Sequence, residues 1–517
     1  MSKDEGNVII LLKSTSLNFY LDIGHSLLII GHSYFMNTSS HSPSGPRPLE
    51  TLLAAAERAL LAWDDGAHLD DLLPATAGQA TLRHGLFALF RRRAEVDWLI
   101  ARFAARPPRP RLLRILRWTF VQILFQDGVR PEAAANAAVA YVRRRYGQAE
   151  AGFLNAVLRA AVAAGREPLL ATLADAAPAA VRRNLGPELE AAWRAGRSEA
   201  QLDALAALLQ AEAPLTFRLR PGAPPPDPAW EAERLEFGRQ KIEDSRQKIE
   251  DGMGRQSDTT ADGGLLNSTV FWRCGCPERL LASAAFARGD VYVQDPSTSL
   301  APGLVAARPG ERIADLCAAP GGKALLLAEA MAGENNGTDG TNGKDGINGK
   351  NGRDETGGGA GPGLLLCADR SAARLQRLRE NLARCEVRVP VQVLAADAAR
   401  PPLAAGQWDA VLLDVPCSNS GVIRRRPDAR WRFTRAKVAE LAVLQARLLD
   451  GAAPLLRPGG RLVYSTCSLE PAENHNQVRA FLKRHPEFAL ETEQQLLPAA
   501  DHDGGYAAHL RATATAG

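Results

Sequence analysis

Two cysteines carry the chemistry open to this chain. Cys417 closes the run Asp414-Val415-Pro416-Cys417, and Cys467 sits in Ser465-Thr466-Cys467-Ser468. A thiolate is a strong nucleophile, and its addition to an electrophilic carbon splits one hard step into two easier ones. Each cysteine follows a short apolar, β-branched stretch, Asp409 to Val415 and Arg461 to Tyr464, that reads as a buried strand. Ligands of open α/β sheets gather at strand ends. One strand-end cysteine is ordinarily a small buried hydrophobe. Two of them beside a glycine-rich loop point to covalent chemistry, and the residues alone leave open which thiol attacks.

That loop is Asp315-Leu316-Cys317-Ala318-Ala319-Pro320-Gly321-Gly322-Lys323, running from a strand into a helix. Small residues let a ligand approach the backbone, and the helix start adds free amides and a positive dipole end. No third glycine completes a dinucleotide fingerprint, and Ala324 after Lys323 excludes a Gly-Lys-Ser/Thr phosphate loop. Asp369 and Asp397 follow the next two apolar runs. A carboxylate at the second strand end can accept from ribose hydroxyls, and one at the third from an adenine amino group. Each alone is the mark of a helix cap; two in register with the loop describe a nucleoside pocket.

The elements that must position these groups follow from the rest of the chain. At 517 residues, two or three domains are expected, and 46% hydrophobic with 23% charged residues is a globular balance. The net charge of +4 does not by itself imply nucleic acid. Seven cysteines form no disulfide ladder, which fits a reducing cytoplasm. Cys274 and Cys276 are the only close pair, too few for a zinc site, so no metal is expected. The apolar stretch Val8 to Ile30 is interrupted by Lys13, Asp22 and His25, and its leader Ser2-Lys3-Asp4-Glu5 lacks a basic start. Neither export nor a membrane span is expected.

Residues 1–46 stand apart as an N-terminal extension, with Met36 as an alternative start. Residues 47–205 read as a helical bundle: Leu52, Ala56, Leu60 and Leu61 share one face, and Leu112, Ile115, Leu116 and Phe120 another. Residues 206–290 read as a linker or small subdomain. It contains the proline-rich break Pro221 to Pro228 and an insertion, 238–264, with a direct repeat of Arg-Gln-Lys-Ile-Glu-Asp at 239 and 246. Residues 291–517 alternate β and α patterns. Strands are expected at 311–317, 363–369, 391–397, 409–415 and 461–466, and helices at 323–331, 371–385, 435–455 and 473–484. An insertion at 333–363 is dense in Gly, Asn and Asp, cannot bury a core, and reads as a disordered loop. Its spacing is too irregular for a calcium-binding repeat.

The motifs DLCAAPGGK (315–323), VLLDVPCSNSG (411–421), GVIRRRPDARW (421–431) and LVYSTCSLEPAEN (462–474) together resemble the bacterial 16S ribosomal RNA cytosine-5 methyltransferases of the RsmB/Sun type, within the NOL1/NOP2/Sun group. The stretch Phe153 to Arg159, the pair Gln294-Asp295 and Asp503-Gly504-Gly505-Tyr506 also fit. The resemblance runs from about Leu49 to Leu510, apart from the two insertions. It implies an α + α/β multidomain chain: an all-helical NusB-like RNA-binding domain and a Rossmann-like methyltransferase domain using S-adenosyl-L-methionine. The cofactor would lie against Cys317, Ala318, Ala319, Pro320, Gly321, Gly322, Lys323, Asp369, Asp397 and Asp414. Cys467 would attack carbon 6 of a cytosine in 16S ribosomal RNA, Cys417 would assist product release, and Asp414 would hydrogen-bond the base and favour protonated N3. A DNA cytosine-5 methyltransferase would instead use Cys417.

Arg424, Arg425, Arg426, Arg430 and Trp431, just after Cys417, read as RNA-binding residues: phosphate contacts with an aromatic among them. Arg91, Arg92, Arg93, Arg111, Arg114, Arg143, Arg144 and Arg145 extend that track onto the helical domain. The expected state is a cytoplasmic monomer with 16S ribosomal RNA as partner, and neither DNA nor membrane. A non-catalytic RNA-binding or antitermination module is the other reading, and the intact Asp414, Cys417 and Cys467 argue against it. Two features depart from the family pattern. Asn419-Ser420 replaces a more usual small-residue/threonine pair, which alters packing near Cys417. The loop at 333–363 is longer than the family's and is expected to bulge outward.

Overall fold

The computed structural model describes residues 48–72, 80–235, 237, 269–333 and 363–513. The extension with Met36, and almost all of both insertions, lie outside these residues.

The first helices form a bundle around Pro110–Phe125, which opens on a proline at its first turn, where a missing N–H costs nothing. Leu112, Ile115, Leu116 and Phe120 are buried as expected, but so are Trp118, Val121, Ile123 and Leu124. Apart from the stripe Arg111, Arg114 and Arg117, this helix is buried on every side, which makes it the central one. In Pro48–Asp64 the buried stripe is Leu53, Ala56, Leu60 and Trp63; Leu52 is half-buried and Leu61 is 45% exposed, so the face is rotated from the expected one. The helical region runs on to Glu199–Gln210, whose N-cap Ser198 and Gln201 satisfy each other's backbone amides in a capping box.

Residues 216–293 are more than a linker. Strands β1 (Thr216–Leu219), β2 (Ala232–Leu235), β3 (Phe271–Cys274) and β4 (Val291–Val293) make an antiparallel sheet in the order β2-β3-β1-β4. The expected boundary at 291 therefore cuts through this sheet. Cys274 is buried in it, its thiol donating to Trp230 O at 3.5 Å.

The larger sheet has seven strands: β5 (Arg312–Asp315), β6 (Leu364–Asp369), β7 (Val391–Ala395), β8 (Trp408–Asp414), β9 (Leu456–Thr466), β10 (Phe488–Leu496) and β11 (Gly505–Ala512). Their order is β10-β11-β9-β8-β5-β6-β7. The five from β9 to β7 are parallel; β10 and β11, which the sequence reading did not foresee, add an antiparallel edge. Helices Arg435–Ala452 and His475–Arg484 cover one face through Leu448, Leu449, Val478 and Phe481. Helices Gly322–Met331 and Ala372–Arg384 cover the other through Leu327, Met331, Leu375 and Leu378. Chain order reverses between β5 and β8, and at such a switch point the strand ends leave a crevice. No helix among the described residues is long and apolar enough to cross a membrane.

Candidate active site

Both cysteines lie at this switch-point end of the sheet. β8 and β9 run parallel with Asp414 opposite Ser465, and Val415 N donates to Ser465 O at 3.0 Å. The two loops leaving these strands therefore start side by side. Cys417 Sγ and Cys467 Sγ stand 3.0 Å apart, both as free thiols. The Cys467 thiol donates to Asn419 Oδ1 at 3.1 Å. Cys417 is pushed well above the usual thiol range by its bond to Cys467, by burial and by the charge of Glu473. It keeps its proton, which it can present to the other sulfur.

Glu473 fastens the two loops together and had no role in the sequence reading. It is fully buried. Its carboxylate accepts from Ser418 N at 2.9 Å, Ser418 Oγ at 2.5 Å, Ser468 Oγ at 2.5 Å and Gln445 Nε2 at 3.1 Å. Gln445 Nε2 also donates to Pro416 O at 2.9 Å. Ser418 and Ser468 each follow a cysteine directly, and that paired Cys-Ser pattern is the signal that could have found them. Gly421 completes the join: its N–H donates to Cys467 O and its carbonyl accepts from Gly504 N, both at 2.9 Å. A Cβ there would lie 2.7 Å from Gly504 O and 2.9 Å from Cys467 O, so only glycine permits the approach.

Residues 317–323 line an open cleft of about 350 Å³ with Gln294, Thr298, Asp315 and Asp414. Gly321 turns with φ +118°, leading into the helix at Gly322. Lys323 Nζ reaches across to Asp414 Oδ2 at 2.7 Å. Burial opposes the ammonium charge, but Asp414 outweighs it and holds the lysine above its ordinary pKa. Asp414 Oδ1 accepts from Ser465 Oγ at 2.7 Å. Asp315 is pushed up to about 8 by burial, with the negative charge of Asp414 adding to it. Its Oδ1 accepts from Cys317 N at 3.3 Å, while its Oδ2 is buried without a partner. Gln294 Nε2 is likewise buried and unpartnered, so the cleft offers a ligand one acceptor and one donor.

A second cavity shares Thr298, Lys323 and Asp414 with the first and is lined on its far side by Cys467, Asp503 and Tyr506. Lys323 and Asp414 thus form the border between the cleft and the thiols. Of the other expected cofactor residues, Asp369 ends β6, accepting from Ser371 N at 2.9 Å beside Arg374 at 3.4 Å. Asp397 is exposed beyond β7, accepting from Ala399 N at 3.0 Å. Neither lines the cleft. The cleft residues missed by sequence reasoning are Asp315 as a ligand, Gln294 and Thr298.

Residues 361–511 match the family model for the 16S rRNA methyltransferase RsmB/F, and residues 53–163 match the NusB family. The C-terminal part of the chain is thus similar to the RsmB/F methyltransferases, and the N-terminal part to the NusB family. The ribosomal RNA small subunit methyltransferase B of Erwinia tasmaniensis is 39% identical over 235 residues, 44% of this chain and 48% of that protein. Its counterpart in Salmonella newport is 37% identical over 243 residues, 45% and 49% of the two chains. The chain thus spans about half the length of the curated relatives it matches. The crystal structure of PH0851 shares the fold, with a TM-score of 0.60 at 22% identity over 90% of this chain and 99% of that one. The helical bundle is accordingly the NusB-like domain, and the seven-stranded unit the methyltransferase domain.

The arginine-rich segment is placed quite differently from expectation. Arg424, Arg425 and Arg430 are buried. Arg424 donates to Ala499 O at 2.7 Å and Glu212 O at 3.0 Å. Arg425 bridges Asp295 at 2.8 Å and Asp503 at 2.7 Å. Arg430 enters the helical domain, donating to Asn184 O at 3.2 Å and Leu209 O at 2.9 Å. Trp431 Nε1 donates to Phe90 O at 2.7 Å, and the Arg93 guanidinium lies over both Trp431 and Trp63. Arg426 is half-buried in the turn whose N–H bonds to Val422 O. The side chains of Arg424, Arg425, Arg430 and Trp431 thus join parts of the fold far apart in sequence. The expected track on the bundle is also largely engaged: Arg91 with Glu212, Arg92 with Glu95, Arg111 with Glu150, Arg114 with Asp64, Arg144 with Glu50 and Arg145 with Glu57.

Proposed function

We propose that this protein methylates carbon 5 of a cytosine in 16S ribosomal RNA, using S-adenosyl-L-methionine. The observation that carries the reading is the pair of sulfurs 3.0 Å apart at the ends of neighbouring parallel strands, bordering a cleft built from residues 317–323. The cleft suits the cofactor: glycine and alanine backbone allow close approach, and the unpartnered Asp315 Oδ2 and Gln294 Nε2 among its lining residues are free to bond a ligand. When bound, the cofactor supplies an electrophilic methyl group for carbon 5.

Carbon 5 of cytosine is a poor nucleophile. Bond formation between Cys467 Sγ and carbon 6 moves electron density onto carbon 5, which can then take the methyl group. Afterwards solvent water takes the proton on carbon 5, its electron pair restores the ring double bond, and the S–C6 bond breaks with its pair returning to sulfur. Protonated Cys417, beside Cys467, assists this release. Asp414, held by Lys323 and Ser465, stands between thiol and cofactor to hydrogen-bond the base edge and favour protonated N3. A base in a duplex cannot reach such a site, so the target is presented unstacked.

The test is incubation of the purified protein with unmodified 16S ribosomal RNA transcript and the cofactor, followed by mass spectrometry of the nucleosides. The expected product is 5-methylcytidine, and its absence refutes the reading. Cys417→Ala should accumulate a covalent protein–RNA adduct. An adduct that persists in Cys467→Ala would reverse the two roles.

A further inference from the structure

Asn419, one of the two residues that depart from the family pattern, lies in the Cys417 loop and bonds to both cysteines. Its backbone sits at φ +61°, a left-handed conformation that asparagine tolerates better than most residues. Its Nδ2 donates to Cys417 O at 3.2 Å, which fixes the plane of the amide. Its Oδ1 then faces Cys467 Sγ at 3.1 Å and accepts the thiol proton. A small apolar side chain at this position has no atom that can accept it.

We infer that Asn419 is a catalytic residue of this chain: its carboxamide accepts the Cys467 thiol and aims the sulfur. The inference rests on Cys467 being the nucleophile. An acceptor on a thiol stabilises the protonated form and fixes the S–H direction, since a thiolate has nothing to donate. The amide can also turn over and offer Nδ2 to the thiolate, at the cost of its bond to Cys417 O. Asp295, Lys323, Asp414, Cys417, Glu473 and Asp503 supply the charged and titratable surroundings of this sulfur. They are unchanged in variants of residue 419, so differences among those variants report the amide.

Asn419→Gly removes the amide while accepting φ +61° without strain, and Asn419→Asp places a carboxylate on the sulfur. The first measurement is the rate of Cys467 alkylation by iodoacetamide at neutral pH, resolved by peptide mass spectrometry on the full chain without RNA. The rate should order Gly above Asn above Asp, with Asn419→Asp alkylated about ten-fold more slowly than wild type. The second is single-turnover 5-methylcytidine formation on the 16S transcript, which should fall about ten-fold in Asn419→Gly through lost aim. A common alkylation rate in all three proteins overturns the inference, as does unchanged transfer in Asn419→Gly. Should Asn419→Asp fail to fold, the glycine variant against wild type decides alone. Absence of transfer by wild type would defeat the methylation reading, whereas the alkylation order needs no RNA and is judged separately.

Discussion

Residues 416–421 and residues 424–432 are consecutive stretches of one chain, and both looked like functional surface in sequence. In the structure the first borders a cavity and the second is packed into the joint between domains. The cysteine loop is small and uncharged, and its position is fixed by strand register: Asp414 opposite Ser465 brings the two sulfurs together. The arginine stretch has no such register. Its guanidinium groups took whatever acceptors the fold brought near, and those were carbonyls of the helical domain and the carboxylates Asp295 and Asp503. A motif tied to a strand end is legible because the sheet sets its surroundings; an arginine run is not, because five donors satisfy a buried joint as well as a phosphate.

The largest expected contrast follows directly. Cys467→Ala should lower methyl transfer by at least about 10³-fold, with RNA affinity and fold retained. Arg430→Ala should destabilise the joint, yet leave the salt dependence of RNA binding unchanged, since a buried guanidinium neutralises no phosphate. Binding titrations at several salt concentrations measure this slope; a shallower slope in Arg430→Ala breaks the comparison.

Arg425→Ala comes next. It leaves Asp295 and Asp503 buried and facing each other without their cation. Asp503 is already pushed up to about 7 by burial and by Asp295. Removing one partner of a buried ion pair costs about 4 kcal/mol, to be read from urea unfolding at neutral pH. A loss under about 1 kcal/mol, the range of exposed pairs, would return Arg425 to the surface role that its sequence suggested.

Much of the methyltransferase sheet was legible because its strands are buried on both faces and read as continuous apolar runs, as in Leu364-Leu365-Leu366 and Val411-Leu412-Leu413. The edge strand β10 was not, because Phe488–Leu496 is mostly half-buried and carries Glu491, Glu493, Gln494 and Gln495. The small sheet was obscured for another reason. Its strands are three or four residues long, and the insertion separates β2 from its partner β3 in sequence. In the site, both cysteines, Asp414 and the loop 317–323 were readable from motifs. Glu473 was not, because its importance lies in three hydrogen bonds to the two cysteine loops and a fourth to Gln445, which no local spacing encodes.

Gly421→Ala tests whether the cysteine loop depends on that tight join as the arginine stretch depends on its acceptors. The added methyl would meet Gly504 O, Cys467 O and the Gly504 carbonyl carbon within 3 Å. The backbone must move, parting the two hydrogen bonds of Gly421 and with them the sulfurs. About 3 kcal/mol of stability should be lost, and methyl transfer should fall more than cofactor binding does. Equal losses in both would mean that the cleft and the cysteine loops deform as one unit.

The smallest expected effect concerns Asp315, at the border of the cysteine region. Its carboxyl has a folded-state pKa of about 8, against roughly 3.9 in an unfolded chain. Between these values the native state holds a proton that the unfolded state has released, so this group's contribution is full below the unfolded value and is lost as pH rises through the folded one. Asp315→Asn removes the titration, so the variant should gain on wild type by about 2 kcal/mol between pH 5 and 7. Urea unfolding of both proteins across that window measures the gain. The comparison turns on its sign. If the variant instead loses ground as pH rises, Asp315 is an ionised partner of Lys323 in the folded protein, and the cleft, like the arginine joint, is held together by paired charge.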